Sequence, residues 1–406
     1  MNKPIISSLA TLLALTTATA TFAADSMPSR EEMWKMLQAQ QKRIQELESR
    51  QNQSEQKVDK VVTTVESGSK AGGVSSWSDK ISISGLVEVE ASSTENQAGN
   101  MAALADGSDI NLATAELSID AQVNPWVSAN VTLLYEDDGA TALNVDTATI
   151  TIGNPDASPF SLTAGQMTIP FGVYDTNILS DPLTLELAET SDTTVMVALE
   201  MKGFSADIYA FNGTSNKEGD DNTVDQFGFN LGYAYETEQV GAAIGLHYIN
   251  SIENSDGISA AIIAAEAGGL AAMQDYSGAW GINGNVAFAG FTLIGEYIKL
   301  SDSITNTATT AGWTNTTDKP SAWQAELAYG FQVTEKEVTV AASGSGTNEA
   351  QAIGLMEKRL GLAAGIGLFE NTNLTLEWVR NYDYDVSDGG SGNDADSITM
   401  QLAAEF

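Results

Sequence analysis

From Lys80 to the last residue, apolar and polar positions alternate with a period of two. Ile81, Ile83, Val87, Val89 and Ala91 alternate with Ser82, Ser84, Glu88, Glu90 and Ser92. Phe227, Phe229, Leu231, Tyr233 and Tyr235 alternate with Gln226, Gly228, Asn230, Gly232 and Ala234, and Trp323, Leu327, Tyr329 and Phe331 with Gln324, Glu326, Ala328 and Gly330. Successive side chains of a strand point to opposite faces, so one face is apolar and aromatic and the other small or polar. Segments of about 9–11 residues suit tilted strands that cross a bilayer, and a soluble sandwich has no need of so many. About sixteen are present, starting near residues 79, 109, 126, 143, 159, 192, 203, 224, 239, 277, 291, 321, 335, 358, 372 and 396. Tight turns such as Asn124-Pro125, Met201-Lys202, Ala289-Gly290 and Glu370-Asn371 alternate with longer connections. That asymmetry, short periplasmic turns against long external loops, predicts an all-β transmembrane antiparallel barrel spanning 78–406 with both ends in the periplasm. The last segment alternates Ile398, Met400, Leu402, Ala404 and Phe406 with small or polar residues. It looks like the C-terminal signature read by the outer-membrane assembly machinery, with Phe406 as the signal.

The period differs before Lys80. Lys3, the apolar run Ile5 to Leu15, and Thr21-Phe22-Ala23 predict a signal peptide over 1–23, hence export. Residues 30–66 carry a heptad with Leu37, Ile44, Val58 and Val65 at a and Met33, Leu47 and Val61 at d, the seam of a short α-helical coiled coil. Arg30, Gln40, Gln51 and Ser54 weaken that seam, so pairing would lean on association of the barrels. A homotrimer and a solitary periplasmic helix are both compatible with it. The glycine- and serine-rich stretch within 67–77 reads as a flexible linker.

Hydropathy hides the membrane assignment, because only alternate residues of such a strand meet lipid. Charge adds a boundary and a sign. The chain carries 54 acidic and 18 basic residues, a net of −36. Nine basic and eight acidic residues precede Ser78, so the barrel holds all of the excess negative charge. Nucleic acid is a poor partner for it. The chain has no cysteine and one histidine, His247, which excludes disulfides, thiol nucleophiles and multi-histidine metal sites. No cofactor motif is present, and neither a lipase nor a protease constellation can be assembled around His247, so the chain reads as no enzyme. Gly389 to Asp394 matches one calcium-binding nonapeptide fragment, but that fold needs repeats.

Strand parity assigns an inner face that collects Glu88, Glu90, Glu116, Asp120, Glu136, Asp207, Glu236, Glu296, Glu326 and Glu377 against one basic residue, Arg359. Carboxylates belong on the wet side of a barrel, and rings of them favour cations. The segment from Ile169 to Ser191 is too apolar for a freely solvated loop and carries Asp175, Asp181, Glu186 and Glu189 without Lys or Arg. It either enters the pore, where those four residues line a constriction, or packs over the mouth. A second apolar loop, Ile258 to Met273, has the composition of a short helix.

The run Leu162-Thr163-Ala164-Gly165-Gln166, then Pro170-Phe171-Gly172 and Ser180 to Glu186, together with the opening Ile81 to Glu90, resembles the LbtU-type siderophore porins. Their layout is similar: signal, short coiled coil, sixteen-stranded barrel. In sixteen-stranded porins the third loop folds into the pore, which the resemblance implies for Ile169 to Ser191. It further implies uptake of a ferric siderophore, or a similar small solute, across the outer membrane. The residues themselves leave two alternatives standing, a general cation-selective diffusion porin and a structural tether between the membrane lipid and the periplasm. An acidic lumen disfavours anionic chelates, and the barrel is too small for the plug of 22-stranded receptors.

Overall fold

The computed structural model describes residues 80–96, 107–137, 143–213, 223–259, 275–303 and 318–406. The expected signal peptide, coiled coil and linker lie outside the described residues. Sixteen strands follow one another: β1 (Ile81–Asn96), β2 (Gly107–Asn124), β3 (Val127–Glu136), β4 (Asn144–Gly153), β5 (Phe160–Thr168), β6 (Ser191–Met201), β7 (Phe204–Phe211), β8 (Gln226–Glu236), β9 (Val240–Ile249), β10 (Ala279–Phe288), β11 (Phe291–Leu300), β12 (Ser321–Val333), β13 (Lys336–Asn348), β14 (Lys358–Phe369), β15 (Thr372–Tyr382) and β16 (Asp394–Glu405). A short helix, α1 (Leu183–Ala188), lies between β5 and β6. Each strand begins within two residues of the position that the alternation predicts.

Every strand pairs antiparallel with its sequence neighbours, and β1 pairs with β16 to close the barrel. Closure leaves no unpaired edge, so the backbone satisfies itself in a medium without water. The seam runs from Leu86 opposite Glu405 to Asn96 opposite Ala395. Lys202-Gly203 and Ala289-Gly290 take positive φ at both residues, which matches the twist of a two-residue hairpin. Thr334 and Glu335 do the same without a glycine, at φ 45° and 69°.

The outer face is apolar and exposed, as in Phe227, Phe229, Leu231 and Tyr233 on β8 or Leu293 on β11. Aromatic side chains band it at two heights. Trp280 and Tyr297 meet 5.5 Å apart near the external ends of β10 and β11. Phe291 and Tyr329 meet at 4.4 Å near the opposite ends of β11 and β12. Such belts sit where a bilayer meets water. No helix among the described residues is long and apolar enough to cross a membrane; the strands supply the apolar band.

One buried apolar cluster lies inside the wall. Ile169, Phe171, Leu187 and Ala188 from the β5–β6 loop meet Tyr209, Phe211, Ile249, Ile298 and Leu300 from the strands and Ile252 and Ile258 from the β9–β10 loop. The inner face of β7 to β11 is therefore dry towards the external end, a feature that alternation alone does not predict.

Candidate functional site

The β5–β6 loop lies against the inner face of β11 to β15 and is pinned there by three glutamates. Glu296 on β11 accepts the backbone N–H of Val173 at 2.8 Å. Glu326 on β12 accepts the backbone N–H of Asn177 at 2.8 Å, its Nδ2 at 2.7 Å, and the hydroxyl of Thr176 at 2.6 Å. Glu377 on β15 accepts the N–H groups of Leu179 and Ser180 at 2.6 and 3.0 Å and the Ser180 hydroxyl at 2.6 Å. A loop of irregular backbone carries N–H groups that no sheet satisfies, and a carboxylate is the strongest acceptor a side chain offers. Gln324 on β12 supplies the reverse bond, donating to the Asp175 carbonyl at 3.2 Å.

These three glutamates correct the expectation that they line open water. They are 5%, 2% and 2% exposed, because the loop lies over them and takes up both oxygens of Glu326 and of Glu377 and one oxygen of Glu296. Their parity is as expected, but their charge is spent on holding the loop. Arg359 on β14 is likewise engaged. Its Nη1 donates to the Glu186 carboxylate at 2.6 Å and to the Asp181 carbonyl at 2.5 Å, and its Nε donates to Asn381 at 2.7 Å.

Helix α1 starts after Pro182, whose carbonyl accepts the N–H of Leu185 at 2.9 Å. It buries Leu183, Thr184, Leu187 and Ala188, an i, i+4 face, and turns Glu186 to Arg359. It ends at Glu189, where the backbone becomes extended. Burial, the charge of Glu186 and, against them, the Arg359 guanidinium act on Asp181, and its carboxyl is raised. Burial, then the charges of Asp256, Asp181, Glu136 and Asp146, push Glu189 up to about 7. A cavity of about 410 Å³, lined in part by Glu136, Asn144, Asp146, Gln166, Ser191 and Asp256, adjoins it.

Of the remaining inner carboxylates, Glu136, Asp207 and Glu236 lie on β3, β7 and β8, and the others on β1 and β2. Glu90 accepts Gln401 Nε2 at 2.9 Å, Glu116 accepts the Ser118 hydroxyl at 3.3 Å, and Asp120 accepts Asn130 Nδ2 at 2.9 Å. Glu88 shares their face, half-buried between the exposed Val87 and Val89. The neighbouring inner wall is rich in hydroxyls, with Ser118 against Thr132 at 2.6 Å and Thr151 against Thr163 at 2.9 Å. His247 is buried between Asn230 (3.1 Å) and Asn283 (2.6 Å), edge-on to Phe171, which suits a packing role under the loop. At the base of the β15–β16 loop, Asp383 accepts the N–H and hydroxyl of Ser391. Among the described residues no three carboxylate or imidazole groups converge as metal ligands. Asp146 and Asp256 were missed by sequence reading, since one sits at a strand irregularity and the other in a loop.

No family model matches the chain. It is similar to a UPF0422 protein of Coxiella burnetii (strain RSA 493 / Nine Mile phase I), with 26% identity over 313 residues that cover 75% of this chain and 65% of the relative. A UPF0422 protein of Legionella pneumophila (strain Lens) is 25% identical over 333 residues, 73% of this chain and 62% of that one. The chain thus spans less than two thirds of the length of these curated relatives. Among solved structures, the outer membrane channel DcaP of Acinetobacter baumannii superposes with a TM-score of 0.54 at 12% identity, covering 80% of this chain and 97% of its own. An anion-selective porin from Comamonas acidovorans gives 0.52 at 12% identity, covering 80% and 99%. The fold is that of outer-membrane channels: a closed sixteen-stranded antiparallel β-barrel.

Proposed function

We propose that the protein is an outer-membrane channel that passes small cations and turns back small anions. The observation that carries this reading is the charge balance at the β5–β6 loop. Asp181 and Glu189 on the loop, Glu90 on the wall, and Glu136, Asp146 and Asp256 beside the adjoining cavity are acidic. Arg359 is the one basic side chain at the loop among the described residues, and Glu186 neutralises it. Two unit charges about 4 Å apart interact by about 1 kcal/mol even in bulk water, and more near a low-dielectric wall. The neighbour described as anion-selective shares the fold at 12% identity, and these side chains would give the opposite sign. A reversal potential measured across a KCl gradient tests the reading: cation selectivity is expected, and an anion-selective pore overturns it.

A second reading follows from the likeness to LbtU-type siderophore porins, because the runs that carry it fall on β1, on β5 and on the β5–β6 loop. Uptake of a ferric siderophore would then be diffusive or facilitated, and the acidic constriction favours a chelate without net negative charge. Growth on a purified ferric siderophore, with and without the gene, tests it. The partners of either reading are outer-membrane lipid, the assembly machinery and, through the heptad, two further copies of the chain, with the coiled coil in the periplasm.

A further inference from the structure

The β5–β6 loop is held from outside as well as from the wall. The N–H of Asp256, in the β9–β10 loop, donates to the Glu189 carbonyl at 2.9 Å, where α1 ends. Gly257 lies against the carbonyl of Glu186 so closely that a Cβ would collide with it. Ile252 and Ile258 share a buried cluster with Leu187 and Ala188 of α1. The two loops thus meet over backbone, a glycine and four apolar side chains.

Two carboxyls sit at this junction, one on each loop. Glu189 ends α1, as described. Glu253 is fully buried in the stretch of the β9–β10 loop that also supplies Ile252 and Asp256 to the junction, where it accepts the Ser251 hydroxyl at 2.9 Å and the N–H of Ser277 at 2.5 Å. Burial raises it to about 7, although the bonds from Ser277 and Ser251 pull the other way. The charged and titratable groups that face the junction among the described residues are Asp181 and Glu186 from the β5–β6 loop, Asp256 from the β9–β10 loop, Glu136 and Asp146 from β3 and β4, and Glu296 from β11. The phenols of Tyr174 and Tyr209 lie among them. Among the described residues Arg359 is the cation that acts on Asp181, and Glu186 holds it.

We propose that the junction of the β5–β6 and β9–β10 loops is a proton-operated latch on the bore, closed in acid and released as the medium turns alkaline. The proposal rests on the channel reading. Protonated, the buried Glu253 carries no charge and Glu189 does not repel its acidic neighbours, so the loops stay docked and α1 stays in the lumen. Ionised, one charge is trapped without water and the other faces several like charges. Undocking relieves both, and the C-terminal end of the constriction loop draws back. The sign follows from linkage. The docked state holds these protons more tightly than a solvated glutamate does. The docking advantage is whole below the ordinary value of 4.5 and is lost as pH rises through about 7. A shift of that size weakens docking by roughly a hundredfold per carboxyl across the window.

Uptake of neutral sugars of graded mass into proteoliposomes tests the latch, because simple charge selectivity does not move a neutral solute. The largest sugar admitted should grow between about pH 5 and about pH 8, with its midpoint near neutrality. The double variant Glu189→Gln, Glu253→Gln should keep the small cut-off at every pH. Gly257→Val, which cannot seat against Glu186, should keep the large one, and heat-modifiable mobility verifies that each barrel is folded. A cut-off that ignores pH in a conducting wild type overturns the latch alone. A pH step that persists in whichever of the two variants folds overturns it as well. A wild type that conducts no ions at any pH overturns the channel reading beneath it.

Discussion

The ring of Phe406 lies over Gly85, and the two residues exchange backbone hydrogen bonds of 3.0 Å in both directions. A Cβ at position 85 would collide with the ring, so the glycine of β1 is the seat of the last side chain in the chain. Both lie on the outward face of the seam. The contact joins the proposed assembly signal to the strand that closes the barrel.

Deleting Phe406 removes the ring and two bonds that anchor the end of the seam, and assembly should fail or slow. Gly85→Leu should do part of the same damage by displacing the ring. Surface level and heat-modifiable mobility report both, and a deletion protein that assembles normally refutes the role given to Phe406.

The loop tethers give a second expectation. Bonds to a charged acceptor are worth about 1.5–3 kcal/mol each, so Glu326→Ala, which cuts three, should free the middle of the loop. Open-channel noise and protease sensitivity within residues 169–190 should rise, while the barrel's resistance to heat changes little. Glu326→Gln should retain part of the tether. A quiet Glu326→Ala channel would mean that burial alone fixes the loop.

Selectivity supplies a third. Replacing Asp181 with Asn and Glu186 with Gln removes two loop carboxylates and leaves Arg359 unpaired. The reversal potential under a KCl gradient should move toward neutrality or past it. Arg359→Gln should move it the other way, since Glu186 then stands uncompensated. Selectivity should fade as salt rises, because the screening length is about 10 Å at 0.1 M and about 3 Å at 1 M. A pore indifferent to all three substitutions places the selective point elsewhere.

Association is the fourth. Ile44 and Leu47 occupy the heptad seam, and replacing both with Asp should loosen an oligomer while leaving each barrel folded. Size in mild detergent reads the outcome. A monomeric wild type makes the heptad a solitary spacer.

The fold was legible because a period of two is hard to mistake over sixteen repeats, and because each strand contacts only its neighbours. Parity also placed Glu296, Glu326 and Glu377 on the inner face. It could not separate them from Glu88 or Glu116, which have the same parity and a different covering. What distinguishes them is a loop between 123 and 198 residues away in sequence. Asp256 and Gly257 were illegible for the same reason, since the carbonyls they meet belong to a distant helix end. Arg359 was singled out by its charge, yet only the structure pairs it with Glu186. Alternation reads the wall well and says little of what hangs inside it.

The seam has a consequence for the order in which the molecule can be made. Leu86 pairs with Glu405, so the wall cannot close until β16 has been made. Closing a loop of that length costs about 5 kcal/mol of chain entropy, whereas each hairpin along the way closes over a short turn. Hairpins can therefore zip early, and the β1–β16 pairing comes last. Until then the sheet has two bare edges, each a template for any strand that meets it. The open sheet is thus liable to mispair along β1 and β16 for as long as the seam is unmade.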